Sequence, residues 1–203
     1  MKKIIKFISK LFVVFLVLFL ISAVAEQVFL EESLIRLHVV ADSNDPRDQE
    51  IKLQVRDAIL ETLEQGMEQL PDMESAKAYL QSKLPELQKI ANEVLEAAGE
   101  AGNAVVSLAK EKFPTRIYDT FKLPAGVYES LRVTIGDGEG KNWWCVVFPR
   151  LCVSATTDGF EDTAAGAGFS SQLTGALTDK PVYKVRFFVM DCIGWVQNWL
   201  FSA

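Results

Sequence analysis

Few residues in this chain can carry covalent chemistry. There is one histidine, His38, and there are three cysteines, Cys145, Cys152 and Cys192. A thiol hydrolase needs a thiolate, a base within hydrogen-bond reach and a group that orients the base, so His38 with Cys145 is the pairing on offer. Each has a plainer reading. An imidazole in a strand more often serves as a hydrogen-bonded structural group, and two cysteines seven positions apart in an exported chain more often form a disulfide. The eight residues Cys-Val-Val-Phe-Pro-Arg-Leu-Cys contain Pro149 as a bend, which leaves Cys192 as a free thiol or an alternative partner. Asp42, Asp45 and Asp48 bring three carboxylates together, yet no twelve-residue calcium loop ends in a bidentate Glu. Capping of the helix that follows explains them better. One His and three Cys leave little for a multi-ligand zinc site. Gly136, Gly138 and Gly140 do not lead from a strand into a helix with dinucleotide spacing. The expectation is a protein with no catalytic residue, cofactor or metal.

The elements that must position these groups follow from periodicity. Leu34 to Ala41 is rich in Leu and Val, with Arg36 and His38 on one face and Ile35, Leu37 and Val39 on the other, a strand inside a sheet. Asp42-Ser43-Asn44-Asp45-Pro46 is a turn that starts a helix, with Asp45 as cap and Pro46 at the first helical position. Ile51, Val55, Ala58, Ile59, Thr62 and Leu63 give that helix a 3.6-residue stripe, fading near Gly66 to Pro71. A second helical tract runs from about Asp72 to Ala98, with Pro85 expected to kink or divide it and Gly99 to stop it. Residues 47–100 hold 12 acidic and 6 basic side chains, read as a solvated helix face. Ala104 to Phe113, Val127 to Ile135 and Trp143 to Phe148 read as strands, the last two as a hairpin with a flexible glycine-rich tip. Val127 to Ser130 has the alternative of a helical turn.

The fold expected is a single α+β domain, a mixed or antiparallel sheet with two or three helices, preceded by a signal peptide. Its parts are residues 1–25, the signal peptide; 26–153, the α+β domain; 154–180, a flexible loop; and 181–203, an aromatic tail. The tail reads as a strand or helix packed on the core, or as a membrane-surface or partner-docking helix.

The signal peptide rests on three features. Lys2, Lys3, Lys6 and Lys10 precede an uncharged run from Leu11 to Ala25, and Ala23-Val24-Ala25 before Glu26 is a small-x-small cleavage site. Fifteen residues are short of the roughly 20 a spanning helix needs; an uncleaved anchor that also uses Ile4 to Ile8 is the alternative. Either way the rest of the chain leaves the cytoplasm. The whole sequence, 49% hydrophobic and 24% charged, carries a formal charge of −6. Without the four lysines of residues 1–25, 17 basic and 27 acidic residues remain, a charge of −10. That surface excludes a phosphate-backbone binder and disfavours anionic lipid.

Two segments resemble a known family. Ile35-Arg36-Leu37-His38-Val39-Val40-Ala41-Asp42-Ser43, continued by Asp48-Gln49, Lys52 and Val55-Arg56-Asp57-Ala58, is similar to the amino-terminal signature of the stage II sporulation protein R family. Asn142-Trp143-Trp144-Cys145-Val146-Val147-Phe148-Pro149, with Leu151-Cys152, resembles its second signature; Arg150 stands where the family tends to have another proline. The resemblance spans roughly Leu34 to Cys152. It implies a signal rather than a peptidase: a protein secreted from the forespore into the intermembrane space, after processing by signal peptidase. There it triggers a membrane-embedded aspartic protease that processes the precursor of sigma-E. The contact surface expected for that partner is Arg36, His38, Asp42, Ser43, Asn142, Trp143 and Trp144. The competing account packs both tryptophans inside, one on each sheet face, and pairs Arg36 and Arg56 with carboxylates such as Asp57. The other classes in play are an exported Cys145–His38 thiol hydrolase and an anchored structural protein of the cell envelope.

Overall fold

A computed structural model describes residues 2–67, 70–149, 160–178 and 180–201. In order these form α1 (Lys2–Ser33), β1 (Ile35–Val40), α2 (Pro46–Met67), α3 (Met73–Ala97), β2 (Ala104–Phe113), β3 (Arg116–Ile117), β4 (Lys122–Leu123), β5 (Gly126–Ile135), β6 (Asn142–Phe148), α4 (Phe160–Gly166), α5 (Ser171–Leu177), a short 3-10 turn and α6 (Lys184–Leu200). The chain is α+β as expected, with six helices among the described residues, α1 included, where two or three were expected behind the signal peptide.

Local signals explain most boundaries. Asp45 Oδ1 accepts the Arg47 amide at 2.9 Å ahead of Pro46, and Asp72 accepts Ser75 N at 2.8 Å. Gly99, at φ +81°, ends α3 in a Schellman arrangement, its amide on Glu96 O and the Glu100 amide on Leu95 O. Pro85 does not divide α3: it lies on the exposed side, where solvent can satisfy the carbonyl that loses its donor. Val127 to Ser130 is strand, not helical turn, since β5 pairs along its whole length with β2.

The four-stranded sheet has the order β2-β5-β1-β6. β1 runs parallel to β5 and antiparallel to β6, and β2 runs antiparallel to β5. β5 and β6 are therefore not a hairpin, as the sequence suggested. β1 lies between them, and residues Gly136 to Lys141 arch over its end. The arch is tied down, with Glu139 N on Asp42 O, Gly140 N on Ala41 O and Lys141 N on Asn44 Oδ1. Gly140 has to be glycine, because a Cβ there would lie 2.2 Å from Ser43 O.

Each sheet face carries its own core. Ile35, Leu37, Val39, Leu131, Val133, Cys145 and Val147 turn toward α2 and α3, against Val55, Ile59, Leu80, Leu87 and Leu95. At 0–4% exposure each large side chain in this layer contributes about 1.5–3 kcal/mol. The opposite face carries Phe113, Tyr128 and Val146, covered by Leu30 and Leu34, by the β3–β4 region and by α4, α5 and α6. The stretch expected as a flexible loop thus contains two short helices, which bury Phe160, Ala164, Leu173 and Leu177; residues 154–159 lie outside the described residues. The aromatic tail is a helix packed on this second core through Phe187, Met190 and Gly194.

Candidate functional site

Alternation along β1 assigns the candidate residues to faces. Leu37 lies opposite Cys145 and His38 opposite Trp144 on β6. Directly opposed residues share a face, and successive residues alternate. Cys145 therefore joins the α2–α3 core while His38 points to the other side. A Cys145–His38 dyad is incompatible with this register, so the thiol-hydrolase alternative loses the only imidazole in the sequence. Cys152 lies outside the described residues, and Cys192 is free and exposed.

His38 is 4% exposed and fully engaged. Its Nδ1 lies 2.9 Å from Glu111 Oε1 and its Nε2 2.9 Å from Asn142 Oδ1. A carboxylate can only accept, so Nδ1 carries a hydrogen. The ring stacks on Trp144 at 3.8 Å between centroids and 14° between planes. Glu111 also pairs with Arg132. Burial alone would raise the Glu111 carboxyl; the hydrogen bond and charge of His38, with Arg132, outweigh it and hold it below its ordinary value.

Arg36 is wholly buried and reaches no carboxylate among the described residues. Its guanidinium lies 4.0 Å from the Phe113 ring centre and 4.9 Å from that of Tyr128, and Nη2 donates to Tyr118 Oη at 3.2 Å. Aromatic faces thus take the role that the sequence reading gave to an acidic partner. Arg56, by contrast, does pair with Asp57, at 2.6 Å, and also lies 4.3 Å from the Trp143 ring centre.

The two tryptophans occupy opposite faces. Trp144 is half-buried among His38, Phe113 at 4.7 Å and Arg116 at 4.9 Å. Trp143 sits on the edge strand β6 and is 36% exposed. Asn142 beside it is exposed. Asp42 and Ser43 are half-buried in the turn at the same end of the sheet. Asp42 Oδ1 accepts the Asp137 amide at 2.7 Å, and Ser43 donates to Asp48 Oδ2. The three aspartates near that turn therefore do three separate jobs, clamping the arch, capping α2 and receiving Ser43. Nearby Lys52, 4% exposed, donates to Gln49 Oε1 at 2.7 Å and to Lys141 O at 2.9 Å. Burial, followed by the charges of Arg56 and Lys141, lowers its ammonium pKa.

The structure therefore splits the seven candidates. Arg36, His38 and Trp144 form an inward cluster, while Asp42, Ser43, Asn142 and Trp143 gather at the end of β1 and along the β6 edge. Sequence reasoning missed Glu111, Phe113, Tyr118, Arg116 and Tyr128, which complete the inward cluster. Glu111 was hidden inside Lys110-Glu111-Lys112, which looks like solvated surface until β2 is paired and its inward positions are known.

At the N-terminus, α1 is long and apolar enough to cross a membrane. It continues through the expected cleavage bond between Ala25 and Glu26. Ala23 is buried in the second core, and Glu26 pairs with Arg186. Such a helix is consistent with a signal peptide or an anchor.

Residues 31–158 match the family described as stage II sporulation protein R. The stage II sporulation protein R of Bacillus subtilis (strain 168) is 38% identical over 127 residues, covering 63% of this chain and 57% of that protein. The chain thus spans under two thirds of the length of the curated relative it matches. No solved structure matches. The matched span takes in the whole sheet, with α2 and α3, and the match covers well over half of the chain: the protein belongs to the stage II sporulation protein R family.

Proposed function

We propose that this protein is an exported sporulation signal that triggers a membrane-embedded aspartic protease to process the precursor of sigma-E. The single observation that carries the reading is the family match across the folded domain, joined to an export-type helix directly ahead of it. The reading places the protein between forespore and mother cell, delivered there by export and signal peptidase. It assigns no catalytic step to the chain, in keeping with the separation of His38 from Cys145.

A signal of this kind works by binding the active arrangement of its receptor more tightly than the inactive one. The receptor contact in this proposal is the exposed group at the sheet end: Asn142 and Trp143 on the β6 edge, with Asp42 and Ser43 beside them. Trp143 is well suited as an anchor because a large ring already half in water costs little to desolvate further. Arg36, His38 and Trp144 support that surface from behind, holding β6 against β1. A disulfide between Cys145 and Cys152 would fasten the far end of β6.

The test is reconstitution in non-sporulating cells. The protein is co-expressed with the membrane protease and its precursor substrate, with and without residues 1–25, and precursor cleavage is followed on a blot. Cleavage that requires both this protein and its N-terminal segment supports the reading. No cleavage when all partners are present and the protein is exported overturns it.

A further inference from the structure

The inward cluster contains donors that the rest of the fold leaves unmet. Phe113 and Tyr128 cover the Arg36 guanidinium, but its hydrogens point outward in its own plane, away from those rings. Of its three nitrogens, only Nη2 has a partner, Tyr118 Oη at 3.2 Å. Nε and Nη1 are sealed from solvent without an acceptor, and so are Arg116 Nε and the indole Nε1 of Trp144. A buried donor without a partner is costly, the more so when it carries charge. Four of them in one cluster call for an acceptor. Ser130 Oγ and Glu111 Oε2 also lack a well-aligned partner. These two neighbour each other, however, and the serine helps to hold the Glu111 carboxyl down.

The same nitrogens bring two cations together without a counterion. Arg36 lies 4.0 Å from the Phe113 ring centre, Arg116 lies 4.9 Å from that of Trp144, and the two rings are 4.7 Å apart. The guanidiniums therefore flank one aromatic pair. Burial lowers the Arg116 pKa; Tyr118 opposes that shift and the charge of Arg36 adds to it. Glu111, the carboxylate of the cluster, is engaged by His38 and Arg132. Arg116 is half-buried and stands on the β3–β4 ribbon, which among the described residues pairs with no other strand. Its side chain can swing outward while the four-stranded sheet stays intact.

We propose that Arg36, Arg116 and the Trp144 indole form a binding site for a carboxylate, which enters past the Arg116 side chain and bridges the two guanidiniums. Charge-assisted bonds to both would supply the acceptor that the buried nitrogens lack and relieve their mutual repulsion. Donors packed this closely admit a small planar head more readily than a tetrahedral phosphate. The carboxylate can belong to a free acid or to an acidic side chain of a partner; the recognising chemistry is the same. This site lies on the opposite sheet face from Trp143 and does not depend on the receptor contact proposed above.

Nuclear magnetic resonance of the isotope-labelled full chain in detergent tests it. Sodium acetate is titrated against sodium chloride at constant ionic strength and neutral pH. The indole N–H of Trp144, assigned with Trp144→Phe, and the Nε–H groups of Arg36 and Arg116 should shift together along one saturable curve. The indole N–H of Trp143, on the other face, should stay in place. Arg116→Gln, at a half-buried position, should keep the remaining spectrum and weaken acetate binding about tenfold or more. An end-blocked Gly-Glu-Gly peptide separates the sources. Binding tighter than acetate assigns the site to a partner's side chain, and equal or weaker binding assigns it to a free acid. The proposal is overturned if wild-type protein shows no saturable shift at Trp144, or if Trp143 shifts equally. It is also overturned if Arg116→Gln binds acetate unchanged, or if inorganic phosphate binds where acetate does not.

Discussion

The imidazole of His38 lies face to face on the indole of Trp144, 3.8 Å away and nearly parallel, across the junction of β1 and β6. Both ring nitrogens are engaged as well, so one residue joins β2 through Glu111, β6 through Asn142 and the tryptophan beneath it. Substituting His38 by leucine keeps volume but leaves the Glu111 carboxylate one partner short. That loss should cost about 1–3 kcal/mol, read as a lower midpoint in denaturant with an unchanged slope, together with an altered tryptophan spectrum.

Acid should weaken this cluster in a defined window. Glu111 has its carboxyl pKa lowered in the folded protein, so the unfolded chain takes up its proton first as pH falls. The stabilisation from Glu111 is therefore complete above the ordinary carboxylate pKa and is lost as pH drops through the lower folded value. Glu111→Gln should be less stable than wild type at pH 7 and should show a shallower loss of stability between neutrality and pH 3. An identical slope in the two proteins would refute the assignment.

The two tryptophans should behave differently. Trp144→Ala removes a ring packed against His38, Phe113 and Arg116 and should cost about 2–4 kcal/mol. Trp143→Ala, at a position already 36% exposed, should cost about 1 kcal/mol or less yet abolish precursor cleavage in the reconstituted cells. Retained cleavage in a stable Trp143→Ala protein would remove the β6 edge from the proposed contact.

α6 is held where it touches the start of β5. A Cβ on Gly194 would stand 1.6 Å from Ala125 O, so the helix approaches the strand at a point where only hydrogen fits. Gly194→Val should displace α6 and destabilise the fold by about 2 kcal/mol or more. Hydrogen exchange should report the change first in α6 and at the paired end of α1.

The disulfide proposal has its own readout. If Cys145 and Cys152 are joined, Cys145→Ser and Cys152→Ser should lose the same stability, about 2–4 kcal/mol, and each should expose one new reactive thiol in unfolded protein. Loss of activity in the Cys145 variant alone would contradict the pairing.

What the sequence determined by itself was local. The apolar N-terminal helix, the strand at Ile35–Val40, the caps at Asp45 and Asp72, the stop at Gly99 and the two family signatures depend on neighbours within a few residues, where periodicity and capping act. What only the tertiary structure decided was which distant segments meet. Residues Gly136 to Lys141 look like a hairpin tip because glycines favour turns, but β1 enters between β5 and β6, since pairing there buries all six of its residues. That register also sends His38 and Cys145 to opposite faces, which alternation within either strand alone cannot reveal. Arg36 appeared to need a carboxylate and found Phe113 and Tyr128, more than 70 residues away. Glu26 appeared to end the apolar segment of α1 and is instead paired with Arg186. For both Arg36 and Glu26 the partner that the fold supplies becomes adjacent only once the chain has closed on itself.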